Sequence, residues 1–344
     1  MHGRAYQMKS WIFFVIISAL LTACTGVDEV PITDWAHHSD FPGVPRASAS
    51  TFVIGTKAYV CCGRTSAPSN EYWQYDSIAH KWTKVSTPTK ELWQYDSSTD
   101  SWTQLDPFPG KPRVKALAVT INGKAYVGMG SNGYAYTNSV FNDFYEYNPT
   151  SGTWTSKAPF PGNASNDLAY AVVNGCLYTA MGFTGIQRSN DTYKYDPVTD
   201  VWTKLEDCQG SYSATSFFSI GQNFYVVSGY QGRNIRTAFR FDTQSEKWLT
   251  APSLPDGRMM SNGLAINDKG YVMLGRFWNG AENGGRLLSD IVEYDPLVNT
   301  WTKRGDFPGG ARQNAMVLTI QGRGYIIMGE NDSRLLSDVW SFKP

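Results

Sequence analysis

The chain has 344 residues, with 30 basic and 30 acidic side chains, 12 Trp, 20 Tyr and 17 Phe. So even a charge balance gives no electrostatic case for nucleic acid as a partner. The high aromatic content and the scarcity of helical stripes point to an all-β fold.

In chain order, residues 1–23 read as a secretory signal. Arg4 and Lys9 make a basic start, and Trp11 to Leu21 is an apolar run shorter than the ~20 residues of a spanning helix. Leu21-Thr22-Ala23-Cys24 resembles a bacterial lipobox, which implies cleavage before Cys24 and lipidation of its thiol. The alternative is an ordinary signal peptide with an incidental Cys. Two or more acyl chains on Cys24 would form a stable anchor, the protein's only membrane contact. Residues 24–32 then form a tether. Thr25, where Asp would signal inner-membrane retention, places the expected location at the outer membrane, on its periplasmic face or the cell surface. Asp28-Glu29 resembles the acidic signal of surface-exported lipoproteins. Loss of Arg4 and Lys9 leaves 28 basic against 30 acidic residues. With Cys24 lipidated, Cys61, Cys62, Cys176 and Cys208 are expected to be free thiols packing as small hydrophobes. Cys61 and Cys62, adjacent on one strand, are expected to face opposite ways.

From residue 33 onward one unit recurs. Trp102, Trp154, Trp202, Trp248 and Trp301 lie 46 to 53 residues apart, each with Tyr or Phe seven residues earlier (Tyr95, Tyr147, Tyr195, Phe241, Tyr294) and Asp or Asn six earlier. Glu91, Asp143, Asp191 and Asp290 stand eleven residues before their Trp, and Gly130, Gly182, Gly229, Gly275 and Gly329 follow at 27 to 28. Such a period marks a propeller or solenoid. Within a unit, Asn122-Gly123 and Asn174-Gly175 join two β-rich runs as hairpins, strands a and b. A variable loop precedes strand c, and the Trp lies on strand d. The Asp beside the Tyr is expected to hold turn amides.

This spacing, the acid before strand c and the Phe-Pro-Gly turns at Phe41, Phe108, Phe160 and Phe307 resemble Kelch repeats over residues 33–344. The resemblance implies an all-β propeller of four-stranded blades. The family's diglycine after strand b is here a single Gly, preceded by Cys62, Met129, Met181, Ser228, Leu274 and Met328. Trp35 lacks strands a to c, while residues 338–342 read as a strand c after which the sequence ends. Placing the Trp35 strand as outer strand of the last blade closes a ring of six. Residues 71–102 hold two similar c–d hairpins, EYWQYD and ELWQYD, one of them extra; which completes the first blade stays open.

Seventeen residues before the repeat Gly, at the start of the channel-lining strand a, stand Arg46, Arg113, Ser165, Tyr212, Arg258 and Arg312. The arginines read first as staples for backbone carbonyls, as Kelch repeats often carry there. As ligand-binding residues, with Tyr212, they would instead make an anion site at the channel mouth, a guanidinium fork fitting a carboxylate. Specificity is expected in the loops on the same face: 131–142, 183–190, 230–236, 276–289 and 330–337. Galactose oxidase shares this architecture but needs two His and two Tyr on copper. Beyond the signal the chain has only His37, His38 and His80, so no metal or other cofactor is expected. Six-bladed periplasmic sialic-acid mutarotases are more similar, and Glu330 with Arg334 are the candidate catalytic pair that this resemblance implies. The leading reading is a lipid-anchored envelope propeller that binds a protein or glycan on its loop face. The runner-up is a sugar mutarotase or related carbohydrate enzyme.

Overall fold

The computed structural model describes residues 30–344 except 66–71, 77–80, 86, 133–139, 164 and 279–284. The signal, Cys24, Thr25, Asp28-Glu29 and His80 lie outside the described residues, as do parts of two of the five loops, 131–142 and 276–289. Every described residue in regular structure is in a strand, and six four-stranded antiparallel sheets form the blades. Blade 1 runs Ser50–Ile54, Lys57–Cys61, Leu92–Asp96 and Ser101–Leu105 as strands a to d. The hairpin containing Trp102 therefore completes it. The other hairpin, Tyr72–Asp76 with Lys81–Val85, forms a two-stranded sheet of its own between strands b and c. Blades 2 to 5 begin at Leu117, Ala169, Ser216 and Asn262.

Blade 6 takes strands a to c from Met316–Ile320, Arg323–Ile327 and Val339–Lys343, and its outer strand from Asp34–His38. Trp35 pairs with Phe342 and His38 with Val339. The ring closes as the broken periodicity demands, and Asp34–His38 covers the edge that Val339–Lys343 would otherwise expose. Because strand d of blade 6 is antiparallel to strand c, Asp34 enters at the face carrying the a–b and c–d turns. His38 leaves at the opposite face, which carries the b–c loops.

The Tyr/Trp ruler becomes a contact within each blade: Tyr95–Trp102, Tyr147–Trp154, Tyr195–Trp202, Phe241–Trp248 and Tyr294–Trp301 have ring centroids 4.8–5.1 Å apart. The same Trp side chains reach across blades. Trp202 Nε1 donates to Ala158 O at 3.0 Å and Trp301 Nε1 to Pro252 O at 2.9 Å. Phe108 and Phe160, from the turns leading into blades 2 and 3, pack edge-on to Trp154 and Trp202 at 5.2 Å. Large rings at blade junctions are the main apolar burial of such a fold. The Asp or Asn after each Tyr accepts the amide two residues on, as at Asp96–Ser98, Asn148–Thr150 and Asp196–Val198 (2.8–2.9 Å), which fixes the c–d turn.

The single repeat glycine also has a physical cause. Gly63, Gly130, Gly182, Gly229, Gly275 and Gly329 all have φ between 84° and 123°. Each donates its amide to the next blade's residue at the strand-a register: Arg113, Ser165, Tyr212, Arg258, Arg312 and Arg46, at 2.8–3.3 Å. A Cβ at Gly63 would come within 2.7 Å of Ala49, and one at Gly275 within 2.7 Å of Met259 O. The residue before it is also left-handed, from Cys62 (φ 65°) to Met328 (φ 55°). There the side chain points into a blade junction, and all six are buried. The first glycine of the diglycine is thus exchanged for core packing at the cost of local strain.

Candidate functional site at the channel mouth

The four register arginines are the largest fully buried side chains. Each makes the same constellation. Arg113 Nη1 donates to Met129 O at 2.8 Å, and its Nη1 and Nη2 form a two-point pair with Asp143, both at 2.7 Å. Arg258 does so with Leu274 O and Asp290, and Arg312 with Met328 O and Asp338. Arg46 donates to Cys62 O at 3.0 Å and to Glu91 Oε2 at 2.6 Å. Phe41, Phe108 and Phe307 lie against the guanidiniums of Arg46, Arg113 and Arg312 at 4.6–4.8 Å.

This is the staple geometry, extended by a carboxylate that the sequence reading had kept separate. The acid before strand c and the Arg before strand a are two halves of one device. The guanidiniums point outward into the blade rather than into the channel, with their Nη groups bound to carbonyls and carboxylates of the protein, so they present no free fork to an anion. Tyr212 is half-buried and stacks on Phe239 at 6.1 Å. The expectation for Cys61 and Cys62 is corrected too. The left-handed Cys62 ends the strand and swings its side chain round, leaving the two Sγ atoms 3.1 Å apart.

The channel is lined two residues further on, by Ser48, Lys115, Asp167, Ala214, Met260 and Asn314, around a cavity of about 220 Å³. All six are left-handed, with φ of 52–55°. Lys115 Nζ meets Asp167 Oδ2 at 2.6 Å across the blade 2–blade 3 boundary.

A second ring lies one register further, at the residue after each repeat Gly, where the predicted specificity loops begin. These are Arg64, Ser131, Phe183, Tyr230, Arg276 and Glu330, each bridged to the strand leading into strand a of its own blade. Here the mouth becomes chemically uneven. Tyr230 and Trp278 pack edge to face at 5.7 Å, and Arg188 lies over the Tyr230 ring at 5.0 Å. Arg276 Nε donates to Gln313 at 2.9 Å, and its Nη2 meets Asp332. Lys115, Asp167, Tyr230, Arg276 and Trp278 share a cavity of about 420 Å³ opening on the loop face.

Glu330 is mostly buried at the same mouth. Arg64 pairs with Oε2, while Asn314 and Gln313 donate to Oε1 at 2.8 and 3.2 Å. Its cation is therefore Arg64, not Arg334, which is exposed and whose amide donates to Asn331 Oδ1. His37 and His38 sit on the closing strand, His37 against Trp340 and Asp40, and His38 against Ser341 and Tyr325. Burial lowers the His38 pKa, partly offset by Asp100.

Six four-stranded blades in a closed ring with this internal ruler define a β-propeller, and the Kelch motif model matches residues 166–209, spanning the end of one blade boundary to the next. The chain is a Kelch-type β-propeller. It is homologous to Kelch-like protein 25 of Xenopus tropicalis, at 26% identity over 82% of this chain and 44% of that protein. It is also similar to Kelch-like protein 35 of Mus musculus, at 23% identity over 90% of this chain and 39% of that protein. The chain thus spans less than half the length of these relatives. Among solved structures, that titled "Structure of YjhT" superposes with a TM-score of 0.69 at 19% identity, covering 88% of this chain and 95% of that one, a likeness of fold.

Proposed function

We propose that this chain is a lipid-anchored binding module of the cell envelope whose loop face takes a protein or glycan ligand at the channel mouth. The observation that carries it is the 420 Å³ cavity where two aromatic rings, Tyr230 and Trp278, meet Arg276 and the Lys115–Asp167 pair. Apolar ring faces beside a few fixed polar groups are the usual make-up of a recognition site. The rigid ring positions loops that vary from blade to blade. The anchoring part rests on the lipobox-like Leu21 to Cys24. With Asp34 at the turn face, a chain held at Cys24 would present its loop face away from the lipid. No helix among the described residues is long and apolar enough to cross a membrane.

The test is a thermal-shift screen of the chain against acidic and neutral sugars and envelope proteins. A ligand at 100 times its Kd adds ~2.7 kcal/mol of stability. Tyr230→Ala and Trp278→Ala should remove that gain and leave the unliganded melting temperature near wild type; retention of the gain in both variants overturns the site. Cys24→Ala should move the protein from the membrane to the soluble exported fraction.

A second reading, a sugar mutarotase or related carbohydrate enzyme, is favoured by the placement of Glu330. A carboxylate held at the mouth by Arg64, Asn314 and Gln313 is positioned to exchange a proton with a sugar hydroxyl. Polarimetry on acidic sugars decides it: Glu330→Gln should abolish any accelerated mutarotation.

A further inference from the structure

Cys61 and Cys62 are fully buried adjacent thiols whose Sγ atoms lie 3.1 Å apart. Neither is in a disulfide. Their place in the blade is specific. Cys62 N donates to Glu91 O at 3.0 Å, and Cys62 O accepts from Arg46 Nη1 at 3.0 Å. Gly63 N donates across the blade boundary to Arg113 O at 2.9 Å. The pair thus touches the Arg46 staple at both its carboxylate-bearing strand and its carbonyl, at the junction of blades 1 and 2.

We propose that Cys61 and Cys62 form a redox modification site, a vicinal dithiol that closes to a disulfide during oxidative folding and thereby loosens the Arg46 staple. Closure takes place by thiol–disulfide exchange with a small disulfide oxidant such as oxidised glutathione. One thiolate attacks the oxidant to give a mixed disulfide, and the second displaces the glutathione. One S–S bond forms and one breaks. The two cysteine protons end on two glutathione thiols, which carry away the two electrons. The sulfurs need only move from 3.1 Å to the ~2.05 Å of a disulfide. Adjacent Cα atoms are ~3.8 Å apart, below the usual ~4.4–6.8 Å of bridged pairs, so the ring is tight and twists the peptide between the cysteines. That peptide carries the amide bound to Glu91 O. Burial raises the Cys61 pKa well above that of an ordinary thiol, and a protonated, covered thiol exchanges slowly. The folded protein is therefore locked in whichever state it reached while folding.

The experiment uses the full-length chain, unfolded and refolded in reduced or in mixed reduced and oxidised glutathione, then alkylated under denaturing conditions and digested with trypsin. Cleavage after Lys57 and Arg64 puts both cysteines on the single peptide 58–64. After oxidative refolding it should appear two hydrogens lighter and unalkylated; after reducing refolding, doubly alkylated. Two alkyl groups, or glutathione adducts, in the oxidative sample overturn the proposal. The oxidised wild type should melt below the reduced wild type, whereas Cys61→Ser should melt at the same temperature in both buffers. Equal melting of the two wild-type forms overturns the coupling to Arg46. The peptide result requires no variant, so a Cys61→Ser chain that fails to fold leaves the site decided.

Discussion

Blades 2 and 3 have superposable strand patterns but different internal chemistry at one position, and the contrast shows what the repeat conserves. In blade 2, Arg113 is fully buried and bound to both oxygens of Asp143. Blade 3 has Ser165 in that register, with its hydroxyl buried and without a hydrogen-bond partner. Its acid, Asp191, is still present but has turned to Lys204 at 2.6 Å and to Ser189. Blade 4 has lost both, with Tyr212 in the first register and Thr237 in the second. The backbone bond from the preceding blade's glycine persists in all three: Gly63 to Arg113, Gly130 to Ser165 and Gly182 to Tyr212. The ring is therefore held by the glycine contacts everywhere, and by the ion pair only where both halves remain.

The largest test breaks the staple in one blade and the surface pair in the other. Asp143→Ala leaves Arg113 buried without its carboxylate, which should cost about 3–5 kcal/mol. Asp191→Ala removes a partner of the partly exposed Lys204, a pair worth about 0.2–1 kcal/mol. Urea midpoints of the two variants should differ accordingly, and equal losses would mean that the buried pair contributes nothing beyond a surface one.

Acid titration compares the staples among themselves. Burial pushes the Glu91 carboxyl up, but hydrogen bonds from Arg46 and Trp93 outweigh this and leave its pKa below the ordinary carboxylate value. A depressed folded pKa means stability that is present above the unfolded value and lost as pH falls through the folded one. Glu91 is over a third exposed, so after solvent screening the contribution is roughly 0.5–1 kcal/mol. Wild type should lose that amount below the ordinary carboxylate range, and Glu91→Gln should lack that part of the slope.

The repeat, the closing strand and the blade count were legible because they are written in short fixed spacings: aromatic to Trp, Trp to Gly, and a lone Trp35 facing an unfinished last blade. Both halves of the staple were legible too, each in its own register. Their pairing was not, because Arg113 and Asp143 are 30 residues apart and meet only once strand c has crossed back beside strand b. The guanidinium direction followed the same limit. A residue at the start of strand a can face the channel or the blade, and the left-handed turn two residues later settles it. Tyr230 and Arg276 stand in register after the repeat Gly, but their residue types differ from blade to blade, and Trp278 comes from a loop whose length no period sets.

The smallest and sharpest test rebuilds what blade 3 has lost. Ser165→Arg would place a guanidinium where three of the four parts of the staple remain: the Phe160 cushion of the Phe-Pro-Gly turn, the Met181 carbonyl before the repeat Gly, and Asp191. It also removes a buried hydroxyl that has no partner. Hydrogen bonds to a charged group contribute about 1.5–3 kcal/mol. Against that stand the ~1.5–2 kcal/mol of rotamer entropy lost when an Arg is fixed and the weak Lys204 pair that Asp191 gives up. The net should be small and on the stabilising side, within about 1 kcal/mol of wild type. The pairing itself is read by a double-mutant cycle: Ser165→Arg combined with Asp191→Ala should be far less stable than the sum of the singles, because the new guanidinium is then buried alone. Additive singles would show that the staple depends on the exact loop of blades 1, 2, 5 and 6 rather than on the two side chains in register.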